Sequence, residues 1–200
     1  MKLAEINYLG AGLGVLMLLL PFLGPWWIVE VGDRAFHFET SPFELNVRLA
    51  EMPLESPLIG LFLLATKISF LIGGTFVLLA SIFPRSWWAR KLFRFGVMKP
   101  LWSVVGLVIT IVVGTFLVNN VLPNFLSSMA GSSVVQSLNI PYFQGGTVAT
   151  FQIGPATITA PVKIFLGRGF WAGVVASAIG IGARVYQKKL APKEEATAKK

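Results

Sequence analysis

The chain has no cysteine and a single histidine, His37. Without thiols there can be no disulfide, thiolate metal site or iron-sulfur cluster, and one imidazole cannot hold a haem from both sides. Acid is also scarce, nine Asp and Glu against 17 Lys and Arg, and none falls inside a long apolar run. An intramembrane ion pair or a carboxylate proton relay is therefore not available. No Gly-rich phosphate loop, G-x-S-x-G or H-E-x-x-H occurs. These absences disfavour redox chemistry on a bound metal and leave no expected catalytic residue, metal ligand or cofactor.

What is present is apolar. Hydrophobic residues make up 54% of the 200 and charged residues only 13%, with a positive mean hydropathy, which is too oily for a soluble domain of this size. The net charge of +8 sits beside apolar runs rather than on a polar face. The expected counter-charge is thus anionic lipid headgroups on the cytoplasmic side, not nucleic acid.

The middle stretch, Pro84 to Pro100, carries five basic residues and no acid: Arg85, Arg90, Lys91, Arg94 and Lys99. Long apolar runs flank it, so it reads as a cytoplasmic, membrane-surface-binding loop that orients the rest. Within it, Trp88, Leu92 and Phe95 recur at helical spacing opposite Arg90, Lys91 and Arg94, the pattern of an amphipathic turn or two on the inner surface. Spans are expected near residues 7–29, 58–83, 101–122 and 166–186, with outer segments 30–57 and 124–165. The charged tail, 191–200, reads as disordered. The six tryptophans fall at the ends of these spans: Trp26, Trp27 and Trp171 on the outer side, Trp87, Trp88 and Trp102 on the inner. That aromatic belt and the charge asymmetry predict a multi-pass cell-membrane protein with both termini cytoplasmic.

Six of the nine acids lie between Glu30 and Pro57, yet this segment alternates like a half-buried strand: Phe43, Leu45, Val47 and Leu49 against Glu44, Asn46 and Arg48. Strands are expected near 27–31, 35–39, 43–49, 147–153 and 156–164. Their apolar faces exceed what either outer segment can bury alone, so one shared sheet is predicted. The fold class is a membrane all-α four-helix bundle with a small extracytoplasmic antiparallel β subdomain built from the two outer loops. Glu30, Asp33, His37 and Glu39 could be assembled into a cation site, but scattered outer-loop acids are more often simply solvated.

Lys67, inside the second apolar run, is the main candidate for an intramembrane functional site. A mid-membrane ammonium costs about 2.5 to 3.5 kcal/mol on insertion scales. It either contacts an anionic ligand, or snorkels outward or bonds Asn119, Asn120 or a free carbonyl. Asn119 and Asn120 themselves read as capping or packing residues. Small-residue ridges at Gly10 and Gly14, at Gly106 and Gly114, and at Ala172, Ala176 and Gly180 are suited to close helix packing.

Four spans with a β-bearing first outer segment resemble the layout of claudin-type tetraspan proteins. The resemblance stops at layout, because Gly24-Pro25-Trp26-Trp27 is followed by no cysteine of their first-loop signature. The expected function is a non-catalytic structural or accessory subunit, with other membrane subunits or copies of itself as partners. The alternative is a small oligomeric channel or transporter with Lys67 near an anion or substrate path.

Overall fold

The computed structural model describes residues 6–32, 35–49, 52–54, 56–121, 123–124, 128, 135–137, 139–153 and 156–190. The tail expected to be disordered lies outside these, as does most of 127–137. The chain divides into two compact units: a helical one from Met1–Leu23, Leu64–Val104 and Trp171–Lys200, and a sheet-bearing one from Gly24–Leu63 and Val105–Phe170.

The sheet has seven strands: β1 Trp27–Val31, β2 Phe36–Ser41, β3 Glu44–Leu49, β4 Met52–Pro53, β5 Val135–Ser137, β6 Gly145–Ile153 and β7 Ala156–Leu166. Their order is β4-β3-β2-β1-β7-β6-β5, with antiparallel pairing throughout. The shared sheet expected from alternation is present, and β1 against β7 joins the two segments, pairing Glu30 with Lys163 and Val29 with Ile164. Period two places Trp27, Val29, Val31, Phe38, Val162 and Ile164 on one face. There Val29, Ala149, Val162 and Ile164 are buried, with Trp27, Val31, Phe38 and Ile140 packed on them. Gly32, at φ +62°, makes the β1–β2 turn, where an L side chain would be strained. The edge strand β4 carries Pro53, which has no N–H to offer a further strand and so limits edge-to-edge pairing there.

Trp26 is not a belt residue. It is fully buried at the foot of β1, edge-on to Phe43 (5.9 Å) and Phe170 (6.4 Å). Its backbone N–H donates to the Thr40 carbonyl at 2.9 Å and its carbonyl accepts from the Gly167 N–H at 3.0 Å. Gly169 lies directly against the indole, where a Cβ would clash.

In the helical unit, α1 covers Tyr8–Leu19 and tightens into a 3₁₀ turn over Leu20–Phe22. The outer bound of the helix expected at 7–29 is thereby corrected to Phe22. Pro21 and Pro25 bracket Gly24 at φ +85°, the helix stops, and Trp27 already begins β1, so Tyr8–Phe22 is an apolar helix shorter than the about 20 residues usual for a crossing. Three helical stretches are long and apolar enough to cross a membrane: Pro57–Ile82 (α2), Ala89–Val121 and Arg168–Lys188. The last lies within α5, Arg168–Leu190. The middle one comprises α3, Ala89–Gly96, and α4, Lys99–Phe116, followed by a π-helical turn over Leu117–Val121. Pro100 supplies no N–H to the preceding turn, which accounts for the interruption at Val97–Met98.

Candidate functional site

Charge separates the two units. The described residues of the helical unit include Lys67, Arg85, Arg90, Lys91, Arg94, Lys99, Arg184 and Lys188 but no Asp or Glu. Its polar interior is therefore built from amides, hydroxyls and backbone carbonyls. Asn7 is fully buried; its Oδ1 accepts from the Gly10 N–H at 2.9 Å and caps α1. Its Nδ2 donates to Gln187 Oε1 at 2.7 Å and to the Ala183 carbonyl at 3.2 Å on α5. The Asn7 N–H donates to the Ser81 carbonyl at 3.0 Å at the end of α2. One residue thus ties three helices, its side chain to α1 and α5 and its backbone N–H to α2, with the amide's hydrogen bonds satisfied, which low dielectric makes stringent. Sequence reasoning missed it, because a lone Asn before an apolar run signals only a cap.

The glycine ridges divide. Gly10 abuts the Ser81 hydroxyl and Phe93, Gly14 lies against the Leu78 backbone, and Gly180 against the Val97 carbonyl. Ala176 is fully buried and Ala172 half-buried. Gly106 and Gly114, by contrast, have nothing within 4 Å of a built Cβ. Among the described residues, nothing packs on that part of the ridge. The Thr110 hydroxyl instead donates to the Gly106 carbonyl at 2.9 Å.

The expected amphipathic face of α3 is rotated. Ala89, Phe93 and Gly96 are buried, while Phe95 is 52% exposed. Gly96 decides the orientation: its backbone lies directly on the Gly73 carbonyl and Val77, which only a glycine allows. Arg90, Lys91 and Arg94 face outward, as does Arg85.

Lys99 leaves that set. Rather than joining the surface cations, its ammonium donates to Ser69 Oγ at 2.6 Å and to the Ser69 carbonyl at 3.1 Å, and lies 4.3 Å from the Phe95 ring centre. Its stem crosses Gly73, whose missing Cβ makes the room: a Cβ there would meet Lys99 Cδ at 2.9 Å. Nothing in a basic loop motif signals this turn inward; it follows from the glycine on the facing helix.

Lys67 is half-buried, with its ammonium 4.7 Å above the ring of Phe22, a cation–π placement. Asn119 holds Ile140 at both ends of its peptide unit, accepting from its N–H at 2.9 Å and donating to its carbonyl at 3.0 Å. Asn120 donates to the Phe116 carbonyl of its own helix at 2.9 Å. Both amides serve the end of α4, as capping and packing require.

On the sheet face opposite the apolar one, His37 lies between two carboxylates, Nδ1 3.5 Å from Glu30 and Nε2 3.2 Å from Glu39. Glu39 also accepts from Asn46 Nδ2 at 3.3 Å, and Arg48 and Lys163 stand opposite His37 and Glu30 in the register. Asp33 lies outside the described residues. Among the described residues no His, Asp and Glu cluster is arranged to hold a metal, and alternating charge along the row accounts for this one as a cross-strand pairing pattern.

No family model, curated protein or solved structure matches the chain. Function has therefore to be argued from the two units themselves.

Proposed function

We propose that the chain is a multi-pass protein of the cell membrane, a non-catalytic structural or accessory subunit with the sheet outside and with the end that joins Asn7, Ser81 and Gln187 cytoplasmic, so that both termini lie there and the shorter Tyr8–Phe22 makes a fourth crossing. The observation that carries this reading is the sheet's β1–β7 pairing, which makes one rigid platform from two segments that each adjoin a long apolar helix. Hydrophobic side chains remain on that platform, with Leu49 53% and Ile158 50% exposed. They supply area for a protein partner rather than a reacting centre. The outward cations Arg85, Arg90, Lys91 and Arg94 suit anionic headgroups on the cytoplasmic side, and Trp87, 83% exposed beside them, suits the interface.

Topology is the test. The chain has no native cysteine, so single cysteines at Ser86 and Glu44 can be labelled in intact cells with an impermeant reagent. Glu44→Cys should react and Ser86→Cys should not. The reverse would invert the arrangement, and equal reaction of both would remove the membrane reading. Should the purified chain alone carry anion flux in liposomes, abolished by Lys67→Met, the channel reading would replace the subunit one.

A further inference from the structure

We propose that Lys99 is the docking point for a partner's membrane helix that carries an Asp or Glu at mid-depth. This rests on the reading of the chain as a membrane-spanning accessory subunit. Ser69, which holds the Lys99 ammonium, is the thirteenth of the 26 residues of α2, about 18 Å from one end of the helix and about 20 Å from the other at 1.5 Å per residue. If α2 spans along its length, the ammonium lies deep in the hydrocarbon. A snorkelling lysine runs its stem toward the nearest water. The stem of Lys99 runs from Gly73 to Ser69, one turn farther into α2 and away from Arg85, Arg90 and Arg94.

The Ser69 contacts satisfy two of the three ammonium N–H groups, and the Phe95 ring adds a quadrupole. None of these cancels a full positive charge. The helical unit offers no carboxylate among its described residues, which leaves the complementary charge for a partner to supply. The surroundings are apolar and open: Ile72, one turn from Ser69 on α2, is 43% exposed, and Trp102, one turn from Lys99 on α4, is 67% exposed. An ammonium within an exposed apolar helix face complements a partner helix bearing one carboxylate. A lipid headgroup is held at the bilayer surface and does not reach this depth, whereas a helix-borne carboxylate does. Intramembrane ionisable groups pair with one another in this way.

The test uses the full chain in neutral phosphatidylcholine vesicles with a synthetic polyleucine spanning helix bearing one central Glu, or Gln in its place. Association is read by energy transfer between labelled chain and labelled guest, at mildly alkaline pH to keep the guest carboxylate ionised. The Glu guest should associate about tenfold more tightly than the Gln guest, the scale of a polar contact between membrane helices. Lys99→Met should erase that preference, while Lys99→Arg and Lys67→Met should keep it. Equal association of both guests with the unaltered chain would overturn the proposal without any variant having to fold. So would a preference that survives Lys99→Met, or one abolished by phosphatidylglycerol, which would assign the ammonium to lipid. A nitroxide at Ile72→Cys reports depth independently: a position in water would remove the membrane-spanning reading itself, and with it this one, whereas a deep nitroxide with equal guest binding would remove only the docking.

Discussion

The two units achieve specificity by opposite means. In the sheet, each strand has a polar and an apolar side, neighbours are fixed by register, and charges of both signs alternate across one face: Lys163, Glu30, His37 and Arg48 in one row. The helical unit has apolar residues on nearly every side of its helices and, among its described residues, charge of one sign only. There the arrangement is decided where side chains are missing or amidic: Gly14 on Leu78, Gly96 on Gly73, Gly180 on Val97, and Asn7 between Ser81, Ala183 and Gln187. When apolar surface is everywhere, hydrophobicity cannot choose a face, and steric clearance and buried hydrogen bonds choose instead.

The comparison can be broken most strongly at Trp26. Trp26→Ala removes a fully buried indole with Phe43 and Phe170 on it and should destabilise the sheet unit by about 3–5 kcal/mol. Limited proteolysis should then cut within both Trp27–Leu49 and Gly145–Leu166; protection of either would show that the indole does not hold the foot of the sheet. Next comes clearance. Gly96→Ala puts a methyl onto the Gly73 carbonyl and should cost about 1–3 kcal/mol, seen as a lower Tm in detergent. Gly106→Ala, in open space, should lose nothing and gain up to about 1 kcal/mol from helix propensity. Equal effects would mean that glycine clearance does not decide the packing. Asn7→Ala, which strips the α1 cap and takes the amide donor from Gln187 Oε1, should cost about 1–3 kcal/mol in the same assay. The smallest effect belongs to the sheet's charged face: Glu39→Gln, beside His37, should change stability by less than about 1 kcal/mol, since the pair is half-exposed and screened. A larger loss would make that face more than a pairing pattern.

How much could be read beforehand follows the same division. Alternation from Phe36 to Leu49 and from Thr147 to Ile164 announced strands because a pleat has only two sides and each residue type declares one. The pairing of the two distant segments followed from the apolar faces left over. The short strands at Met52–Pro53 and Val135–Ser137 carry too few residues to show a period. In the helices, length and hydropathy marked the long stretches, but Pro21, Gly24 and Pro25 ended the first at Phe22, earlier than its apolar run suggested. The face of α3 was misread because the larger hydrophobes, Trp88, Leu92 and Phe95, outweigh Ala89, Phe93 and Gly96 in any periodicity, while Gly73 on another helix decides the contact. Lys99 turned inward for the same reason, and a facing glycine leaves no mark in the sequence around the lysine. The Asn119 grip on Ile140 joins residues 21 apart in the chain, a distance no local pattern encodes.

The claim that most of this depends on is that two segments far apart in the chain form one sheet through β1 and β7. A chain without cysteine lets it be tested directly in native membranes. Glu30 and Lys163 are register partners on the same face, while Ile164 is on the other. Glu30→Cys with Lys163→Cys should form a disulfide rapidly under mild oxidation, the Cα separation of cross-strand partners being within the range a disulfide spans. Glu30→Cys with Ile164→Cys should form little or none. Absence of the first bond, or equal formation of both, would contradict the shared sheet.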